Sequence, residues 1–267
     1  MSKDVDLYDG YYEHIAADPL VAVRRETYEE DIGQSSWITA PQAREFVRAL
    51  ELGPERTALE VACGSGGVTC LMAVETGAAC VGIDINPHGV EAARKRARDQ
   101  GLSDRVSFQV VDAGQRLPFA DGSFDAVFSN DSVNHVPGRL EMLREWHRVL
   151  RSGGRLLFTD PTVVTGPVTK DEIAARSSIG YFLFTPPGCN ERFLGECGFA
   201  VRETRDVTDA VASVSSKWRR AREARREALV KLEGEEAFAG LQRFLGAVCT
   251  LASERRLSRF MYLASKS

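Results

Sequence analysis

No apolar run in this chain of 267 residues approaches the roughly 20 residues that a membrane-spanning helix requires. Positive charge is not in excess either. Against 38 Asp and Glu stand 34 Lys and Arg, a formal net charge of −4 that gives no electrostatic reason to expect nucleic acid or a membrane surface as a partner. The six cysteines, at 63, 70, 80, 189, 197 and 249, include no C-x-x-C pair and have no histidine neighbour. That spacing supports neither a zinc site nor a disulfide framework, and reads as small buried thiols in a reducing compartment. No cluster of His, Asp and Glu suggests a metal, and neither internal repeats nor low-complexity tracts occur. The opening residues, MSKDVDLYDGYYEH, are polar and acidic, unlike a signal or transit peptide, so a cytoplasmic location is the expectation.

What the chain does have is order in its apolar runs. With 43% hydrophobic and 27% charged residues it suits one substantial domain, with or without a cap. From Thr57 to Asp160, short apolar runs alternate with helical stretches, the pattern of a doubly wound, mostly parallel sheet. Residues 59–67 read LEVACGSGG: a run carrying Glu60 turns into glycines and feeds a helix, which brings backbone N–H groups close to a ligand. Asp84 closes the next run (CVGID) and Asp112 the one after it (VSFQVVD). Three acidic residues at successive strand ends, on one rim of the sheet, outline a nucleoside site. A dinucleotide wants G-x-G-x-x-G, yet Gly64 and Gly66 are followed at the third position by Thr69, whose bulk hinders the helix approach and the pyrophosphate contact. The pattern fits a ribose-bearing ligand without phosphate, such as S-adenosylmethionine. A carboxylate buried at Glu60 would need a cation or several N–H donors beside it.

Outside this core, residues 1–40 carry Tyr11, Tyr12, Tyr28 and Trp37 on helical stretches with no strand pattern. They read as an N-terminal lid that orders over the site when cofactor binds. Residues 41–267 form the main domain, opened by a helix with Thr39 as N-cap and Pro41 in its first turn. Insertions at about 161–198 and 207–254 read as caps, the first rich in proline and aromatics. FAVRETRD (199–206) returns to a strand, residues 217–255 read as two helices broken at Gly234, and RRLSRFMYLASK reads as a last, antiparallel strand at the sheet edge. The basic run KWRRAREARR is a solvated helix face with i, i+4 partners at Glu223 and Glu227, in preference to a nucleic-acid patch.

Several motifs then fall in one order: E-V-A-C-G-S-G (Glu60 to Gly66), Gly82-Ile83-Asp84-Ile85-Asn86, Val111-Asp112-Ala113, LPFADGSFDAVFS (Leu117 to Ser129) and HRVLRSGGRLLFTD (His147 to Asp160). Over about residues 55–160 they resemble the class I S-adenosylmethionine-dependent methyltransferases, with Ala62 where that family carries the first glycine of its loop. The resemblance implies a Rossmann-like seven-stranded sheet with an antiparallel last strand. It also implies S-adenosylmethionine as cofactor, S-adenosylhomocysteine as product, and no metal. The cofactor residues it implies are Glu60, Ala62, Gly64, Gly66, Asp84, Ile85, Asp112, Ala113 and Asn130. Asp84 would take the ribose, Asp112 the adenine amino group, and Glu60 the methionine ammonium or the loop's own backbone.

After the fourth strand, S-N-D-S-V-N-H (Ser129 to His135) resembles a segment of phosphoethanolamine and glycine/sarcosine N-methyltransferases. It points to His135 and Asp131 as the reacting pair, beside a purely structural reading of His135. Pro161 and Ile179 stand where the phosphobase enzymes hold phosphate, and Tyr181 alone makes a poor anion site. The acceptor is therefore expected to be a small apolar or aromatic molecule, with nitrogen slightly favoured over oxygen or carbon. Trp37, Tyr28, Tyr181 and Phe184 would line its pocket, with Phe182, Pro186, Pro187 and Met261 nearby and few fixed charges. The rival readings are a nicotinamide-dependent oxidoreductase, a protein that binds S-adenosylmethionine without transferring its methyl, and a cyclase that retains it. Oligomeric state is not written in the sequence.

Overall fold

A computed structural model describes residues 7–267, so residues 1–6 of the expected lid lie outside it. The chain begins with α1 (Leu7–Glu13), α2 (Asp18–Thr27) and α3 (Ala40–Ala49). Thr39 caps α3 by accepting the Gln42 N–H at 3.4 Å, and Pro41 sits in the first turn, where its missing N–H costs nothing. Then β1 (Thr57–Val61), β2 (Ala79–Asp84) and β3 (Val106–Val110) alternate with α4 (Gly67–Thr76) and α5 (Pro87–Asp99). They are followed by β4 (Phe124–Ser129), α6 (Arg139–Val149) and β5 (Leu150–Val164).

The sheet has seven strands in the order β3-β2-β1-β4-β5-β7-β6, with β6 at Phe199–Asp206 and β7 at Leu257–Lys266. The first five strands are parallel, and β7 is antiparallel to both of its neighbours. Strand β4 is buried along its whole length, as its unbroken apolar character requires when helices cover both faces. One face packs Phe46, Met72 and Phe108 from α3, α4 and β3. The other packs Leu143 and Trp146 of α6 with Phe158 of β5 and Leu194. A third cluster joins α2 to the C-terminal helices through Leu20, Trp37, Trp218 and Phe244.

Four sequence expectations change. The last strand is antiparallel but interior, since β6 pairs along its outer side and takes the edge. The fifth strand runs four residues past Asp160, crossing Pro161 through a register shift between Asp160 and Val163, where a residue without an N–H does no harm. Of the segment 161–198, α8 (Cys189–Glu196) packs on the sheet through Leu194, which leaves α7 (Lys170–Arg176) and the loop after it as the part beside the site. The C-terminal insertion holds three helices, not two: α9 (Thr208–Glu223), α10 (Arg226–Glu233) and α11 (Glu235–Ser253). Residues 207–216 are rich in Val, Ser and Thr, poor helix formers. Burial of Val211, Val214 and Ser215 overrides that propensity, and Asp206, one residue before the N-cap position, accepts the Thr208 N–H at 2.9 Å.

The basic run lies on α9 and α10, but its partners are mostly distant in sequence. Lys217 of α9 reaches Glu29 at 3.4 Å, and Arg225, just before α10, reaches Glu26 of α2 at 2.6 Å, tying the C-terminal helices to α2 and the segment after it. Arg222 is buried against Glu233, and of the expected local partners Glu223 meets Arg226 at 3.6 Å. Among the described residues, no helix is long and apolar enough to cross a membrane, and all six cysteines are free thiols.

Candidate active site

The loop between β1 and α4 turns by placing three residues at positive φ: Ala62 at 58°, Gly64 at 53° and Gly66 at 73°. A Cβ on Gly64 would overlap the Tyr12 hydroxyl, and one on Gly67 would overlap the Ile32 carbonyl, so the N-terminal segment lies directly across the loop. The Ser65 hydroxyl donates to the Gly33 carbonyl at 2.8 Å, and Arg96 Nε donates to the Ser65 carbonyl at 3.0 Å. Gly66 points the other way, with a Cβ that would stand 2.6 Å from Phe108, so it permits helix packing and does not line the cavity beside the loop.

Ala62 is the strained member. An L-residue in the left-handed region costs about 1–2 kcal/mol, of which glycine's greater unfolded-state freedom returns about 0.5–1. Ala62→Gly is therefore expected to stabilise the protein by up to about 1 kcal/mol. Urea unfolding checks this, and a midpoint at or below that of the parent would count against it.

That cavity holds about 470 Å³ and is lined by Glu60, Ala62, Gly64, Asp84, Ile85, Asp112, Ala113 and Asn130 among others. Every residue expected at the cofactor, except Gly66, meets there. Asp84 accepts the Gly64 N–H through one oxygen and the Asn86 N–H through the other, both at 2.8 Å, so the carboxylate is held rigid at the strand end. Asp112 closes a tight turn by accepting the Gly114 N–H at 2.8 Å and is exposed at the rim.

Glu60 departs from expectation. No cation accompanies it among the described residues. The Thr69 hydroxyl donates to its carboxylate, and burial pushes its pKa up to about 8 against that hydrogen bond, with the Asp84 charge adding to the rise. Thr69, which reads in the sequence only as bulk in place of a glycine, is thus the partner of the buried acid. A neutral carboxyl, ready to ionise when a cation arrives, faces a cavity with a second carboxylate at a strand end. That donor set suits a ligand with a ribose and an ammonium group.

Beyond Asn130 the site changes character. Asp131, at φ 55°, has both oxygens committed. One accepts from Arg259 Nε at 2.6 Å and from the Thr159 hydroxyl at 2.8 Å. The other accepts the Trp37 N–H at 3.0 Å and Asn130 Nδ2 at 3.2 Å. Arg259 is fully buried and also donates to Asn130 Oδ1 at 2.7 Å and Gln42 Oε1 at 2.5 Å. Asp131, expected as a reacting group, is built into an ion-paired strut that fixes Asn130 and the backbone of Trp37.

His135 ends a single 3₁₀ turn, Val133–His135. Its Nδ1 lies 2.9 Å from the Tyr181 carbonyl and its ring meets Phe182 edge-on at 4.5 Å. Burial lowers its pKa to about 4 and the nearby Arg176 adds to the drop, while the Tyr181 carbonyl opposes both. His135 lines the large cavity and also a second one of about 60 Å³, walled by Trp37, Trp218, Phe182 and Phe244.

The acceptor lining differs from expectation. Tyr181 and Trp37 line cavities, but Phe184 does not. Tyr28 is buried behind the wall, its hydroxyl donating to the Ser36 carbonyl at 2.6 Å. Pro186 and Pro187 are exposed, and Met261 is fully buried in the sheet. The expectation of few fixed charges also fails. Arg176, only 2% exposed, lines the small cavity with its guanidinium 4.4 Å from the Phe182 ring centre and 5.0 Å from that of Phe244.

Comparison with known proteins follows the same lines. Residues 59–158 match a family described as a methyltransferase domain. The chain is 32% identical over 193 residues to 27-O-demethylrifamycin SV methyltransferase of Amycolatopsis mediterranei, an alignment covering 70% of each. It spans about half the length, or less, of several other curated relatives. Phosphoethanolamine N-methyltransferase 2 of Haemonchus contortus, solved with phosphomonomethylethanolamine and S-adenosylhomocysteine, superposes with a TM-score of 0.80 at 20% identity, over 98% of this chain and 60% of that one. The cyclase SpnF superposes with a TM-score of 0.76 at 24% identity, over 98% and 97%. At such identities the likeness is one of fold, and it spans more than one chemistry.

Proposed function

Because this chain belongs to the class I S-adenosylmethionine-dependent methyltransferase family, we propose that it methylates a small-molecule acceptor, at a hydroxyl oxygen held against His135. The observation that carries this reading is a shared wall. Ser35, Ser36, Asp131, His135 and Ile179 line both the large cavity, which also holds Glu60, Asp84 and Asp112, and the small aromatic one. In the large cavity Asp84 would hold the ribose, Asp112 and Ala113 the adenine, and Glu60 the ammonium, with Ala62, Gly64, Ile85 and Asn130 around them. Bound there, S-adenosylmethionine supplies an electrophilic methyl group.

The chain's own contribution is alignment and a proton acceptor. The Asp131–Arg259 strut fixes the floor between the cavities, and placing an acceptor atom at about 3–3.5 Å from its target supplies much of the acceleration. The residues from Gly33 to Trp37 act as a lid that keeps water out. Hydrogen exchange across them is expected to slow on adding S-adenosylhomocysteine, and equal protection in both states would refute the lid.

The resemblance of the His135 segment alone leans toward nitrogen; the geometry favours oxygen. Asp131 is occupied by Arg259, and the Arg176 guanidinium lines the same cavity, so neither steadies an ammonium. A carbonyl can only accept, so His135 Nδ1 carries the proton toward Tyr181 and the lone pair lies on Nε2. An oxygen undergoing alkylation becomes a strong acid, so even a base weakened by burial takes its proton.

A panel of phenols, alcohols and amines, scored by S-adenosylhomocysteine release, tests the reading and separates transfer from cofactor retention. With an accepted substrate, His135→Ala is expected to lower kcat by about 10²–10⁴-fold. At saturating S-adenosylmethionine the wild-type kcat should stay level as pH falls from 8 toward 5, since His135 gains its proton only near 4. An acid limb at the ordinary histidine value would show that burial does not depress His135, and full activity in the alanine variant would remove His135 from the chemistry.

A further inference from the structure

Asn134 stands between Val133 and His135 in the 3₁₀ turn that follows β4, is 0% exposed, and lines the small aromatic cavity. Its main chain is pinned, because its carbonyl accepts the Leu183 N–H at 2.7 Å. Neither its side-chain oxygen nor its side-chain nitrogen has a hydrogen-bond partner among the described residues. A buried amide in that state is costly unless something in the cavity completes it.

An amide both donates and accepts at one edge, so its natural complement is an uncharged group that does the same, and a hydroxyl is the smallest. Charge points the same way. The carboxylate of Asp131, the acidic group of that lining, is occupied by Arg259 and is not available to hold an ammonium. The walls are aromatic, with Trp37 stacked near Phe244 at 6.3 Å and Trp218 beside Trp37 at 6.1 Å. At 60 Å³ the small cavity is well below the roughly 150 Å³ that encloses a benzene ring, so a ring reaches Asn134 by extending from the 470 Å³ cavity that shares its wall.

We propose that Asn134 is a specificity-determining residue of the acceptor site, selecting an aromatic acceptor through an uncharged hydroxyl that donates to its Oδ1 and accepts from its Nδ2–H. The proposal rests on the acceptor cavity assigned above. His135 is the next residue, so one bound molecule meets both side chains.

The test titrates four probes into the full-length protein, with and without S-adenosylhomocysteine: phenol, toluene, benzylammonium and benzoate. Binding is followed by NMR of the side-chain amides. Phenol is expected to bind about two- to tenfold more tightly than toluene, the worth of one net hydrogen bond, and to shift the Asn134 amide signals. Benzylammonium and benzoate should both bind more weakly than phenol. In Asn134→Leu the phenol advantage should vanish while S-adenosylhomocysteine affinity is kept.

Equal binding of phenol and toluene to the wild type overturns the proposal, as does binding of neither. So does a phenol advantage that survives in Asn134→Leu. Preferred binding of benzoate would also overturn it, by shifting recognition to Arg176. If the leucine variant does not fold, the wild-type comparison decides alone. Failure of S-adenosylhomocysteine to bind would instead sink the methyltransferase reading, and the probe comparison on the unliganded protein would still judge Asn134.

Discussion

Replacing Arg259 by methionine is expected to destabilise the protein by about 3–5 kcal/mol, because it strands a buried carboxylate without its cation. Arg259 is fully buried and Asp131 is 8% exposed, and they meet at 2.6 Å with Thr159, Asn130 and Gln42 completing the guanidinium's contacts. In a domain of this size the loss corresponds to a melting temperature lower by on the order of 6–20 °C. Asp131→Asn should be similarly costly, since it leaves the guanidinium as the unpaired charge. The double variant should recover part of the loss, because the desolvation of both charges then disappears together. Single variants within 1 kcal/mol of the parent would show that the pair is not the strut described here. Function should suffer beyond stability. Trp37 N–H donates to the same carboxylate, so the backbone at Trp37 and the wall shared by the two cavities loosen together.

That strut also marks where sequence reading stops. The acidic strand ends at 60, 84 and 112 are legible because each closes its own apolar run, and a parallel strand brings its C-terminal residue to a known rim. Ala62 is legible as a departure, because only a left-handed position makes glycine the rule there. Arg259 is different. It lies 128 residues from Asp131, on a strand whose place depends on pairing between β5 and β6, and nothing local announces that pairing. An arginine in RRLSRFMYLASK alternates toward the interior, which is the one signal that could have raised it. Arg176 sits at the end of a short helix in a segment without periodicity, and its burial comes from Phe182 and Phe244, brought together by α11. Asn134 is visible as a letter in S-N-D-S-V-N-H, but only the tertiary structure, in which the Leu183 N–H bonds its carbonyl and its side chain is 0% exposed, makes that letter a buried amide.

Cofactor binding is expected to release a proton near neutral pH, and Glu60 is the source. In the unliganded protein, burial first and the Asp84 charge further hold its carboxyl at about 8, opposed by the Thr69 hydrogen bond. At pH 7 such a group is about nine-tenths protonated. The sign for stability follows. The folded state binds the extra proton, so Glu60 makes unliganded protein progressively less stable as pH rises from the ordinary carboxylate value toward 8. A ligand ammonium within hydrogen-bonding reach lowers a carboxylate pKa by about 1–3 units, so binding of S-adenosylhomocysteine at pH 7 should expel about 0.4–0.9 proton. Calorimetry in two buffers with different ionisation enthalpies measures that number directly. Glu60→Gln removes the titrating group and should abolish the release. It should also weaken affinity by about 10–150-fold, the worth of one charged hydrogen bond of about 1.5–3 kcal/mol. Asp84→Ala should lose affinity by a similar factor while leaving the proton release in place, because the role proposed for it is to accept from hydroxyls. Proton release that persists in Glu60→Gln, or none in the wild type, would mean that the ammonium lies elsewhere.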